Sequence, residues 1–146
     1  MPDDPLRRTP PRVRGACLIA LPRVEAPHGS LVWGEIGAHL PFTPRRFFCI
    51  QDVPPGAVRG EHAHRALEEV VVCVRGSCTF TLDDGLVRDE IVLADPRHAL
   101  YIPPLTWSTQ RAFSTDAVLA VLASEVYRPE DYIRDYASFL ALVRPA

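Results

Sequence analysis

The sequence predicts an all-β domain, a sandwich or small barrel of strands, followed by one C-terminal α-helix. Three observations carry this expectation. From Leu31 to Ala123 the chain is a series of short segments rich in Val, Ile, Phe and Thr, separated by Gly and Pro clusters, the pattern of strand sandwiches and barrels. The stretch TLDDGLV holds Asp84-Gly85, a pair that supplies the positive φ values of a tight hairpin. After Tyr127 the texture changes to RPEDYIRDYASFLALV, with apolar residues at helical spacing.

Taken in chain order, Met1 to Arg14 is rich in Pro, Arg and Asp and has no periodicity, so residues 1–14 read as a flexible arm and 15–146 as a single domain. Strands are expected at 31–36, 45–52, 58–64, 69–75, 77–83, 86–93, 99–102, 107–112 and 117–124, and those on either side of Asp84-Gly85 should pair antiparallel. The helix is expected from Pro129, with acids in its first turn. Tyr132, Ile133, Tyr136, Leu140 and Val143 would form the stripe that docks it on the barrel.

Composition narrows the function classes. A chain of 146 residues with 47% hydrophobic content can bury one core. Sixteen basic against eighteen acidic residues give a formal net charge of −2, which lacks the basic footprint of a nucleic-acid binder. No apolar run approaches the roughly 18 residues of a membrane span, and MPDDPLRRTPPRVRG lacks the apolar core of a signal peptide. A cytoplasmic protein with no nucleic-acid or membrane partner is expected. Cys17, Cys49, Cys73 and Cys78 show no CxxC spacing. Cys73 and Cys78 fall in strand-like runs and read as small buried hydrophobes.

The chemistry concentrates in RGEHAHRALEEVVVCVRG, Arg59 to Gly76. On a strand, residues i and i+2 share a face, so His62 and His64 project together while Ala63 points away. Gly56, His62, His64, Glu69 and Gly76 have the spacing of the first cupin motif. Arg59 would face away from His62 on a regular strand, unless Gly60 marks a bulge that re-aims it. A second cupin motif normally adds a histidine ligand. In IPPLTWST, Leu105 stands at its glycine position and Ser108 at its histidine position. His62, His64 and Glu69 could still form a two-histidine, one-carboxylate metal triad. The alternative is acid–base work, to which imidazoles near pKa 6.5 are suited.

GSLVWGEIGAHLPFTPRRFFCIQDVPPGAVRGEHAHRALEEVVVCVRGSCTFTLDDG, followed by LYIPPLTWS, VLAVLASEVY and DYIRDYASFL, resembles the dTDP-sugar 3,4-ketoisomerase family of cupins. The resemblance rests on G-x-L, P-F-x-x-x-R, R-G-x-H-A-H, G-S, D-D-G, L-A-S and D-Y-I-R-x-Y, in order, and spans about Gly29 to Leu140. It implies a cupin jelly-roll barrel, the double-stranded β-helix, with a C-terminal α-helix. It also implies a homodimer that needs no cofactor and moves the keto group of dTDP-4-keto-6-deoxyglucose from C4 to C3 through an enediol.

By that resemblance His62 and His64 are the catalytic acid–base pair, and Arg59 contacts the sugar or its diphosphate. Glu69, Cys49, Gln51, Tyr101, Trp107 and Ser108 are the further candidates for substrate contact, with Tyr101 and Trp107 at the barrel mouth. Two departures bear on the activity. Ser108 follows Trp107 where the family carries a histidine, and RRFFCIQD puts Phe48, Cys49 and Gln51 where the family tends to place tyrosines, so phenols that assist proton transfer are expected to be absent. Glu69 replaces a frequent amide, and its charge is expected to raise the histidine pKa values. Glu68 competes with it for the inward position.

Other conversions of a small metabolite, metal-dependent through His62, His64 and Glu69, stay open, as does a non-catalytic nucleotide-sugar binder. His28, His39 and His98 read as surface residues, the tyrosines of DYIRDY as helix packing, and Arg134 as an ion-pair partner of Asp131 or Asp135.

Overall fold

The computed structural model of the chain describes residues 11–145. Its strands are β1 (Cys17–Ala20), β2 (Arg23–Ala26), β3 (Gly29–Val32), β4 (Arg46–Ile50), β5 (Arg59–His64), β6 (Glu69–Arg75), β7 (Cys78–Asp83), β8 (Arg88–Leu93), β9 (His98–Ile102), β10 (Trp107–Arg111), β11 (Val118–Ala123) and β12 (Tyr132–Ile133), followed by α1 (Tyr136–Val143). Two five-stranded sheets, β1-β9-β6-β11-β4 and β12-β5-β10-β7-β8, enclose the main core, and β2 and β3 form a separate hairpin.

The pleat decides what enters that core. β11 alternates half-buried and buried residues along its whole length, and Val71, Cys73, Phe80, Leu82, Leu100, Leu119 and Val121 meet in one cluster drawn from both sheets. Cys73 and Cys78 are fully buried, as small apolar residues are. Burial pushes the Cys78 thiol up to about 12.

Three expectations need correction. The segment 31–36 is not one strand, because Gly29–Val32 pairs with Arg23–Ala26 in the hairpin and the chain then leaves the ladder. The hairpin after Asp83 has a four-residue loop, with Asp83 paired to Arg88. The Asp83 and Asp84 carboxylates hold that loop by accepting from the backbone N–H groups of Gly85, Leu86 and Val87. Within the expected arm, residues 1–10 lie outside the described residues. Val13, however, is 1% exposed in the core, and the N–H groups of Arg12 and Arg14 donate to Asp89 and Asp84. One apolar residue in a polar stretch leaves no periodic signal.

The C-terminal helix is also shorter than expected. Pro129–Asp131 make one 3₁₀ turn, Tyr132 and Ile133 pair with His64 and Ala63, and α1 starts only at Tyr136, capped by Asp135 through the Ser138 N–H at 2.8 Å. The Asp131 carboxylate accepts from Ala66 and Leu67, and β12 covers an edge of β5 that would otherwise leave its backbone groups unpaired. Those bonds outcompete a helix through Tyr132. Phe139 is buried with Ala63 and Ile133. Tyr136 donates to Asp83 at 2.7 Å, which locks α1 onto the outside of the barrel.

Candidate active site

β5 carries the site because its backbone is bulged. Opposite it on β10, Ser108 pairs with His62 but Thr109 pairs with Gly60, leaving Glu61 as the extra residue. Gly60 and Glu61 both take positive φ, 82° and 56°. A Cβ on Gly60 would stand 2.8 Å from the Ser108 carbonyl oxygen, so the close strand approach requires glycine. The extra residue changes the parity of the strand. Arg59 and His62, three positions apart, therefore line one cavity.

That cavity has a volume of about 260 Å³. It lies just below the roughly 300–1,000 Å³ typical of drug-sized ligands, which suits one ring rather than a whole nucleotide. Its polar lining is Arg59, His62, Glu69, Gln110, Tyr132 and Arg134, against an apolar floor that includes Phe48, Ile50 and Val121.

The two imidazoles are set differently. The Nδ1 of His62 lies 3.0 Å from the carbonyl oxygen of Gly60. Since that carbonyl can only accept, Nδ1 carries the proton and Nε2 the lone pair. His64 stands edge-on to His62, ring centroids 4.9 Å apart. Its Nε2 is 3.2 Å from Glu69 and its Nδ1 3.3 Å from Asp131, at ion-pair distance without the alignment of a hydrogen bond.

Burial lowers the His62 pKa, and its neighbour His64 lowers it further. The Gly60 carbonyl and Glu69 push the other way and lose. Glu69 thus raises the His62 pKa as expected, but the net shift is downward, because taking a cation out of water costs more than one carboxylate returns. Glu69 faces inward and Glu68 outward, where Glu68 accepts a 2.6 Å bond from the Tyr101 hydroxyl.

With this geometry the comparisons with known proteins agree. The FdtA family model, WxcM-like, C-terminal, matches residues 14–144. The chain belongs to the FdtA family. It is 45% identical over 111 residues to the TDP-4-oxo-6-deoxy-alpha-D-glucose-3,4-oxoisomerase of Aneurinibacillus thermoaerophilus, which covers 76% of this chain and 80% of that protein. A 3,4-ketoisomerase from Helicobacter canadensis superposes with a TM-score of 0.85 at 37% identity, over 88% of this chain and 97% of the other. A mutant of the 3,4-ketoisomerase QdtA from Thermoanaerobacterium thermosaccharolyticum, in complex with TDP-4-keto-6-deoxyglucose, does so with a TM-score of 0.87 at 33% identity, over 90% and 95% of the two chains. The shared fold is the cupin jelly roll with its terminal helix.

In this FdtA-family chain the barrel brings together His62, His64, Glu69, Arg59 and Ser108, and separates the other candidates from them. Phe48 and Ile50 of β4 face the cavity, so Cys49 and Gln51 are exposed on the outer side. Tyr101 packs outside the opposite sheet with Val70 and Val72. Trp107 lies under α1, 5.2 Å from the ring of Tyr136 and 5.6 Å from that of Phe139. Ser108 is buried in a narrow recess of about 10 Å³ behind the histidines, with Thr106 and Gln110. Leu105 takes a φ of 56°, the left-handed backbone that glycine ordinarily supplies in the second motif.

Sequence reasoning missed Tyr132, Arg134 and Asp131. Tyr132 was assigned to helix packing, yet it lies on β12 opposite His64, with its ring 4.4 Å from that of His64 and 5.0 Å from that of His62. Arg134 sits over the Tyr132 ring at 4.4 Å. Its expected partners are engaged elsewhere, Asp131 with His64 and Asp135 with Ser138. The D-Y-I-R segment was the available signal, but the tyrosine spacing there also fits a helix.

His62, His64 and Glu69 offer donor atoms within 4.8 Å of one another. Those donors fit a single cation of the kind that takes imidazole and carboxylate ligands. With His62 Nδ1 committed to Gly60, its Nε2 would be the ligand atom.

Proposed function

We propose that the chain is a nucleotide-sugar 3,4-ketoisomerase acting on TDP-4-keto-6-deoxyglucose by acid–base proton transfer through an enediol. One observation carries this reading: in a chain of the FdtA family, an imidazole and a carboxylate, His62 and Glu69, line a cavity the size of a sugar ring, with the second imidazole, His64, directly behind them in the adjoining recess. The same substrate and reaction are named for relatives 45% and 33% identical to it.

The reaction moves a carbonyl by one carbon. A base removes the C3 proton, which the C4 carbonyl acidifies. The enediol forms, a proton is delivered to C4, and the hydroxyl hydrogen passes from O3 to O4. The protein has only to hold the sugar and move protons. His62 has the tautomer of a base, with Nε2 free and the ring kept neutral by burial. His64 is the second acid–base group, its ring fixed between Glu69 and Asp131. Arg59 and Arg134 at the cavity offer guanidinium forks to the diphosphate.

A second reading has one observation in its favour. The spacing of His62, His64 and Glu69 fits a metal ion, which would supply Lewis-acid polarisation of a carbonyl oxygen.

We assign the protein to the cytoplasm on the strength of four unpaired cysteines, the usage of a reducing compartment. No helix among the described residues is long and apolar enough to cross a membrane. We also assign it a homodimeric state. The outer face of the β1-β9-β6-β11-β4 sheet carries an apolar groove lined by Trp33, Phe47, Val70, Val72 and Leu122. Val24 and Leu31 of the β2–β3 hairpin, 51% and 62% exposed, offer a second copy the matching apolar surface.

The test is proton NMR of TDP-4-keto-6-deoxyglucose with chelator-treated protein in D2O. A 3-keto product with deuterium at C4 supports the reading. Activity that vanishes with chelation and returns with a divalent metal supports the metal reading. Binding without product or exchange at C3 leaves a non-catalytic binder.

A further inference from the structure

The proposed reaction relocates two hydrogens, one from C3 to C4 and one from O3 to O4. The His62 imidazole, which lines the cavity, accounts for the carbon-bound one. The second transfer asks for a group that donates and accepts at one atom, close to both oxygens. Guanidiniums only donate and an ionised carboxylate only accepts, whereas a hydroxyl does both. Ser108 has a hydroxyl, but it sits in the 10 Å³ recess behind the histidines. Phe48, on the opposite wall, has none. Among the described residues lining the larger cavity, Tyr132 is the only one that bears a hydroxyl.

Tyr132 is also held in place. Its backbone pairs with His64, its ring meets both imidazoles, and the Arg134 guanidinium covers its face at 4.4 Å. Ile133, the next residue, is anchored in the cluster beneath α1. The element sequence reasoning assigned to helix packing is therefore a rigid wall of the cavity.

We infer that Tyr132 is a catalytic residue whose phenol carries the hydroxyl proton between O3 and O4, an inference that rests on the ketoisomerase reading. In the first half, a histidine takes the C3 proton, the C–H pair becomes the C3–C4 double bond, the carbonyl pair moves to O4, and O4 takes the phenol proton. In the second, the phenolate takes the O3 proton, the O3 pair forms the new C3 carbonyl, and the double-bond pair takes a proton at C4 from the imidazolium. Phenol and imidazole return to their starting forms, and nothing is oxidised or reduced beyond the sugar itself.

The experiment compares wild type with Tyr132→Phe, which keeps the ring contacts and removes only the hydroxyl. Turnover and KM for TDP-4-keto-6-deoxyglucose, C3 deuterium exchange and Tm are measured on both. The expected result is a fall in kcat and in exchange of roughly 100-fold, the lower end of general acid–base contributions, with KM and Tm unchanged. A kcat equal to wild type overturns the inference, and so does a loss matched by a raised KM or a lowered Tm, which would make the hydroxyl a binding or structural group. If wild type itself neither turns over nor exchanges this sugar, the ketoisomerase reading falls and takes the inference with it.

Discussion

The Nε2 atom of His64 stands 3.2 Å from Oε1 of Glu69 across the ends of two strands that do not pair with each other. Both sheets of the barrel thus contribute to one titratable cluster. Glu69 also acts on His62, where its charge raises the pKa against the larger effect of burial. Replacing Glu69 with Gln removes that opposition, so the His62 pKa should drop further below 6.5. The acid limb of the kcat/KM profile is expected to move to lower pH, with kcat near pH 7.5 held within about threefold, because the base form of His62 is then fully populated in both proteins. A limb that moves to higher pH would show that His62 is not the group being titrated.

The same residue makes stability depend on pH. An unfolded histidine titrates near 6.5, and folded His62 titrates lower, so its protonation is harder in the folded chain. Stability from neutral His62 is complete above the unfolded value and is lost as pH falls through the folded one. Urea denaturation of wild type and His62→Gln should show wild type losing ground to the variant between about pH 7.5 and pH 5. A gap that moves the other way on acidification would mean a raised His62 pKa.

How much of this was legible in the sequence turns on strand parity. The period of two placed His62 and His64 on one face, and the pleat kept them there. At β4, β9 and β10 the same rule held, but no charged pair marked which parity was inward. The candidates Cys49, Gln51, Tyr101 and Trp107 proved to be the outward residues beside Phe48, Ile50, Ile102 and Ser108. A one-residue slip moves every side chain to the other face. Trp107 and Ser108, being adjacent, could never have faced inward together. Arg59 needed the bulge at Gly60. Tyr132 was hidden for another reason: its four-residue spacing from Tyr136 fits a helix, and only the pairing of β12 with β5, a contact 68 positions away between Tyr132 and His64, overrides that local signal.

The homodimer assignment has a surface to test. Phe47 is 61% exposed on the outer face, so replacing it with Glu costs the isolated fold little, within about 0.5 kcal/mol for a surface position. At a dimer interface the same charge would be buried without a partner, at a cost of several kcal/mol. Sedimentation velocity should report the mass of two chains for wild type and of one for Phe47→Glu, with unchanged circular dichroism. A wild type that sediments as a single chain dismisses the dimer.

Gly60 joins the fold to the site most directly. Its φ of 82° is in the left-handed region, where an L-residue costs about 1–2 kcal/mol, and the added Cβ would press on the Ser108 carbonyl oxygen at 2.8 Å and the Gln110 amide at 3.0 Å. The first of those neighbours is backbone of the paired strand and cannot swing aside. Gly60→Ala is therefore expected to lose about 2–4 kcal/mol of stability in urea denaturation. Relief of the clash requires the bulge to open, which turns Arg59 out of the cavity and draws the Gly60 carbonyl away from His62 Nδ1. The folded fraction should accordingly show a raised KM for the nucleotide sugar. Loss of the Gly60 bond by itself lowers the His62 pKa, whereas any loss of burial on opening the bulge raises it, so the two effects oppose each other. Unchanged stability and KM would mean that the bulge does not set the aim of Arg59.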